Sequence, residues 1–196
     1  MHTILFRSDI DQTAAWKQAL SAGLPTDMQL YVADSVSSGP STNGRFHAHT
    51  SPTLLLVLTD LADWDKIAEQ HPENSSLPVI YAGPRGASFQ IGPGVITGQT
   101  ACPVCLQQQS TLFPGLVQVA EETAVSLPPQ TITRLAARLA AEVVAFIQRD
   151  TNSLLRRGYL LRQHDNSWQI YRGLRDPYCD SCSLYAHYPS EAIYIK

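Results

Sequence analysis

The chain has 196 residues, of which 44% are apolar and 16% charged, which suits one domain with a real core, or one domain with a small appendage. Its 14 Lys and Arg against 17 Asp and Glu give a net charge of −3, so no basic excess exists to neutralise a phosphate backbone and nucleic-acid binding is disfavoured. No run approaches the roughly 18 apolar residues of a membrane span, and no membrane association is expected. Met1 to Arg7 lacks a basic stretch ahead of an apolar run, so no signal peptide is expected and the cytoplasm is the default compartment.

Thr3 to Arg7 reads as a short buried strand. Asp11 to Ala22 reads as a helix stopped by Gly23. Met28 to Val32 is a second strand, and Ser35 to Thr50, rich in Ser, Gly, Asn and His, is a polar loop. Thr53 to Thr59 is the clearest strand, a continuous apolar run suited to burial on both faces. A helix over Leu61 to Gln70 and a strand over Leu77 to Ala82 follow. This strand–helix–strand rhythm predicts a right-handed crossover and an α/β fold with a mainly parallel sheet.

Gly83 to Gly86 reads as a turn, and Ser88–Ile91 and Val95–Thr97 as two short strands around Gly92-Pro93-Gly94. Pro128 and Pro129 mark the start of a helix running to about residue 149. In it Ile132, Leu135, Ala136, Leu139, Val143, Phe146 and Ile147 recur at three and four, one apolar stripe suited to core or dimer packing. Leu154–Leu161 and Trp168–Arg172 flank His164-Asp165-Asn166 as a hairpin. The tail from Ser183 carries Tyr185, Tyr188, Ile193 and Tyr194 and is too apolar to be free. Residues 1–50 form a strand–helix–strand part with its loop; residues 51–196 form the remaining α/β unit, the two making one compact body.

The four cysteines fall into two pairs, Cys102-Pro-Val-Cys105 and Cys179-Asp-Ser-Cys182. In a reducing compartment this pattern suggests four thiolates around one structural zinc per chain, because two intervening residues let the chain turn both sulfurs onto one ion. Iron also suits such ligands. Disulfides or a redox dithiol are the alternatives; the first needs an export signal and the second only one pair. A site of this kind would clamp the C-terminal half.

The stretch from Ile91 to Leu106, with Gly92-Pro93, an apolar pair, Gly98, a polar linker and then C-x-x-C-Leu, resembles the ThiF-like (ubiquitin-activating-type) adenylating family. The likeness is to its bacteriocin, azole-peptide cyclodehydratase branch, in shortened form, and it extends over about residues 53–183. It takes in the Thr59-Asp60 strand end, the long helix, the hairpin and the Asp176-Pro-Tyr-Cys179-Asp-Ser-Cys182 stretch. The resemblance implies a partial Rossmann-like sheet and zinc held by Cys102, Cys105, Cys179 and Cys182. It also implies a role in making ribosomally produced, modified peptides, with a precursor peptide, a YcaO-type cyclodehydratase and a flavin oxidase as partners. The chain departs from the family's active members at Phe6-Arg-Ser-Asp-Ile-Asp-Gln12, which has no glycine to bring backbone N–H groups onto phosphates. The winged-helix module that some members use for leader peptides also has no counterpart in the first 50 residues.

Other polar residues have plain readings. Asp60 and Asp63 follow the best strand, and Asp60 is expected to cap the next helix. Ser8, Asp9 and Asp11 read as a turn, His47 and His49 as loop residues, and His187 as a bystander to the cysteines. Arg156, Arg157, Arg162, Arg172 and Arg175 give the C-terminal hairpin a basic bias that suits either a solvated face or an acidic partner. No catalytic and no cofactor-binding residue stands out. The reading is a non-catalytic, zinc-stabilised partner that positions a precursor peptide for a YcaO-type enzyme, as a possible homodimer. The alternative is a divergent ATP-dependent adenylating enzyme acting on a peptide or sulfur-carrier C-terminus.

Overall fold

The computed structural model describes residues 1–33, 52–62, 64–70, 77–86, 88–112, 127–148, 154–155, 157–162 and 166–182. The expectations for the loop 35–50 and the tail 183–196, and for Asp63, His47, His49, His187 and Arg156, lie outside these residues. In chain order the elements are β1 (His2–Ser8), α1 (Thr13–Gly23), β2 (Met28–Val32), β3 (Leu54–Leu58), α2 (Trp64–Gln70), β4 (Val79–Arg85) and β5 (Ser88–Val95). They continue with α3 (Pro103–Leu112), α4 (Pro129–Ile147), β6 (Arg157–Arg162) and β7 (Ser167–Arg172).

The seven strands among the described residues form one sheet in the order β2-β1-β3-β4-β5-β6-β7. The pairings β1–β2, β1–β3 and β3–β4 are parallel; β4–β5, β5–β6 and β6–β7 are antiparallel. The expectation of a mainly parallel sheet therefore holds only for the first four strands. For β4–β5 and β6–β7 the physical reason is connection length. Two residues separate β4 from β5 and four separate β6 from β7, whereas a parallel return needs a dozen or more residues.

The strand residues alternate between two packed faces. Ile4, Phe6, Leu54, Leu56, Leu58, Ile80, Phe89, Ile91 and Leu161 point to one side, where they meet α1 and α4. Val57, Val79, Tyr81 and Val95 point to the other, where they meet Trp64 and Ile67 of α2 and Cys105 and Leu106 of α3. This double burial explains why Leu54–Leu58 is apolar throughout. In α1, Trp16 and Leu20 lie one turn apart and are buried; the Trp16 ring stacks on Phe89 at 5.3 Å. The predicted α4 stripe is buried except for the half-buried Ile147, and Ala140 joins it. A Cβ on Gly23 would lie 3.0 Å from that of Ala140, so the two helices touch closely there.

Three local expectations are corrected. β4 runs on to Arg85, past the turn expected at Gly83. β5 is one strand rather than two, because a register shift between Ile80 and Ala82 absorbs the Gly92-Pro93 step. α3 was not expected at all.

Candidate metal centre

The first cysteine pair sits at a helix start. After β5 the chain turns through Gly98 at φ 75, with the Thr100 hydroxyl accepting from the Ile96 N–H at 2.7 Å. Pro103 occupies the first position of α3, where a missing N–H costs nothing. Cys102 precedes it, and its carbonyl accepts the first helical bond from Leu106 N–H at 3.1 Å. Cys105 lies three residues on, so both sulfurs leave the same side of the first turn, 3.7 Å apart.

The second pair sits on a turn that α3 holds. The side-chain amide of Gln109 pairs with both backbone groups of Leu174, donating to its carbonyl and accepting its N–H at 3.1 Å. Arg175 donates to the carbonyls of Gly98, at 2.6 Å, and Cys182. The Asp176 carboxylate accepts the Tyr178 N–H at 2.8 Å, which curls the chain into Cys179. Cys179 Sγ then lies 3.6 Å from Cys102 Sγ, and Cys182 Sγ lies 3.4 Å from Cys105 Sγ.

All four sulfurs lie within 4.8 Å of one another. A tetrahedral zinc with bonds of about 2.3 Å needs sulfurs about 3.8 Å apart, close to these separations. A disulfide would bring them to about 2.05 Å, and all four are free thiols. The donor set thus fits a closed thiolate site, and the four cysteines can hold a metal ion such as zinc. The surroundings favour negative charge. The Asp176 N–H points at Cys105 Sγ over 3.4 Å, and the start of α3 adds its dipole. The hydrogen bond that Cys102 donates, with the Asp176 N–H, draws the Cys105 thiol down to about 5. The same bond holds the Cys102 proton above the ordinary thiol range, and burial raises Cys182. Cys102, Cys105 and Cys179 are buried; Cys182 is partly exposed and borders a shallow cleft with Ala68, Ile96 and Val104.

The carboxyl ends of β1 and β3 mark the switch point at which open α/β sheets take ligands, since α1 and α2 leave them on opposite faces. Asp9 N–H bonds Leu58 O across it at 2.8 Å. Arg7 is bound bidentately to Asp9, at 2.9 and 3.2 Å, and the α1 entry is Gln12 at φ 65 rather than a glycine. Asp60 does not cap α2. It accepts the Ala62 N–H at 2.9 Å, because the helix begins only at Trp64.

Sequence reading missed a buried polar chain. Arg85 donates to Gln90 at 2.9 Å, Gln90 donates to Gly92 O at 2.9 Å, and the Tyr171 hydroxyl donates to the same carbonyl. Burial holds Tyr171 as a neutral phenol, and its ring fills the space a Cβ on Gly158 would need. Glycine at 158 opposite Tyr171 in the register was the only available signal.

No protein-family profile matches the chain, and no curated protein matches it. Solved structures do. A heterocyclase in complex with substrate and cofactor superposes over 93% of this chain and 25% of its own, at TM-score 0.65 and 17% identity. The heterocyclase TruD gives 0.63 and 18%, over 93% of this chain and 27% of its own. The E. coli microcin synthetase McbBCD complex gives 0.53 and 12%, over 91% and 67%. The likeness is one of fold, and the chain spans about a quarter of the first two proteins' length.

Proposed function

We propose that the chain is a zinc-stabilised, non-catalytic ThiF-like subunit that positions a precursor peptide for a YcaO-type cyclodehydratase, in the cytoplasm and as a homodimer. A flavin oxidase is a further partner on this reading. The supporting observation is the pairing of a heterocyclase-like fold over 93% of the chain with a four-thiol site. In this role Cys102, Cys105, Cys179 and Cys182 hold a zinc that fastens the segment after β7 to α3. A closed thiolate site leaves no position for substrate, so the metal supplies structure rather than chemistry. Residues 1–50 contribute β1 and β2 at one end of the sheet, and residues 51–196 carry the rest.

The switch point at β1 and β3 argues against nucleotide chemistry. Arg7, at the end of β1, is held by Asp9, and the loop that follows lacks glycine. A carboxylate at each strand end repels phosphates rather than gathering them. The test is affinity purification of the tagged chain from its native cells, followed by mass spectrometry. Co-elution of a YcaO-type protein and a short precursor is expected. Their absence, with saturable binding of millimolar ATP, would overturn this reading in favour of an independent adenylating enzyme.

A further inference from the structure

We propose that Arg175 is a positioning residue of the four-cysteine site, clamping its two halves together and offsetting the negative charge of the loaded centre. The inference rests on the zinc reading above and names a residue outside the ligand set on which metal affinity depends. Four thiolates and one divalent ion carry a net charge of about −2. Cys102, Cys105 and Cys179 are buried, and a buried charge costs free energy unless an opposite charge or hydrogen bonds offset it. The cysteines lie in segments 95–112 and 173–182. The charged residues of those segments are Arg175, Asp176 and Asp180. The two carboxylates add to the negative charge, so of these residues only Arg175 opposes it.

The geometry gives that cation a defined place. Its guanidinium donates to Gly98 O at 2.6 Å and to Cys182 O. Gly98 lies four residues before Cys102, so one planar fork ties the approach to the first pair to the end of the second. The backbone ahead of Arg175 is fixed. A Cβ on Gly173 would lie 2.6 Å from Pro93 Cγ, and Gln109 holds both backbone groups of Leu174. Two carbonyls need only a neutral donor. A permanently charged group whose Nε is buried and unpartnered is costly in that place unless an anion lies nearby. No carboxylate ion-pairs with it among the described residues, where the ion pairs are Arg7–Asp9 and Arg138–Glu142. The Asp176 carboxylate turns to the Tyr178 N–H instead. The thiolates, which Arg175 reaches through Cys182 itself, are the anion that fits. Gln109 thus supplies position without charge, and Arg175 supplies both.

The test uses the full chain in two metal forms. Chelator competition on the zinc-loaded chain should show Arg175→Gln binding zinc about tenfold or more weakly. Gln109→Ala should also weaken it, and Arg175→Lys should recover most of the Arg175→Gln loss. The second measurement is the Fe(III)/Fe(II) midpoint potential of the iron-loaded chain. The reduced tetrathiolate carries one more negative charge than the oxidised one, so a nearby cation favours reduction. Arg175→Gln should therefore lower the potential, Arg175→Lys should stay near wild type, and Gln109→Ala should leave it unchanged. Equal zinc affinity in wild type and Arg175→Gln would overturn the proposal. So would a potential that moves as far in Gln109→Ala as in Arg175→Gln, since geometry rather than charge would then be responsible. Should Arg175→Gln not fold, Arg175→Lys carries the test: a potential that falls although the charge is kept would overturn it. A wild-type chain that takes up no zinc would sink the zinc reading itself, whereas full uptake with Arg175→Gln unchanged sinks this inference alone.

Discussion

The two faces of the sheet are built differently. The α1–α4 face gathers 23 buried apolar residues among those described, from Trp16 and Phe89 to Leu139 and Phe146. The α2–α3 face gathers 12, of which three are cysteines. The first can hold itself together by apolar burial, at about 25 cal/mol per Å². The second has short helices, and the segment after β7 reaches it through hydrogen bonds and sulfur rather than a large apolar area. A small core needs a staple, and the cysteine cluster stands on the face with fewer buried apolar residues among those described.

Removing the metal from the zinc-loaded protein should have the largest effect. Structural zinc contributes on the order of 10 kcal/mol in small zinc-dependent folds. Chelation, or Cys179→Ser, should strip amide protection from α3 and residues 174–182 while β1, β3 and α4 stay protected in hydrogen-exchange mass spectrometry. Uniform loss over both faces would break the comparison. Metal affinity should also fall as pH falls, because the Cys102 and Cys182 protons, held above the usual range, must leave on binding. Chelator competition at two pH values should show at least about a hundredfold change per unit, as expected for two released protons.

Leu139→Ala comes next. Leu139 is fully buried on the self-sufficient face, so about 2–5 kcal/mol should be lost in urea titration, with metal content unchanged. Gly94→Ala should cost about 1–3 kcal/mol, since its Cβ would lie 2.4 Å from the Phe146 ring. The smallest effect should be Glu142→Gln, which removes the 2.6 Å pair with Arg138 on α4. About 0.5 kcal/mol is expected, read as a small shift of the urea midpoint.

The contrast between the faces also decided what the sequence could reveal. Apolar patterning located β1, β3 and α4 to within a residue or two, because those elements feed the large core and their patterns are strong; β2 was located too, although only Met28 of it is buried. α3 went unseen because Gln107, Gln108 and Gln109 interrupt any stripe; its buried contacts come largely from Cys105 and Leu106. Its helical start is legible only in hindsight, in Pro103 following a cysteine. β5 was split in two because Gly92-Pro93-Gly94 has the composition of a turn, while its neighbours keep it in the sheet; the β6–β7 hairpin was legible. The cysteine pairs were legible at once, since metal-ligand spacing is local. What holds them was not: Gln109, Arg175 and Asp176 act across long sequence separations that no local pattern encodes.

Cys102 and Cys179 are 77 residues apart, and between them lies the whole connection from α3 to β7. A metal at the four sulfurs, together with the β5–β6 pairing, makes that stretch a closed ring attached at both ends. The covalent link between α3 and α4 is then one of several routes through the molecule rather than the only one. A chain severed there would remain one particle, held by the β5–β6 pairing and the α1–α4 core as well as by the metal. Length in a stretch closed in this way is cheap: each doubling costs about 0.6 kcal/mol of closure entropy.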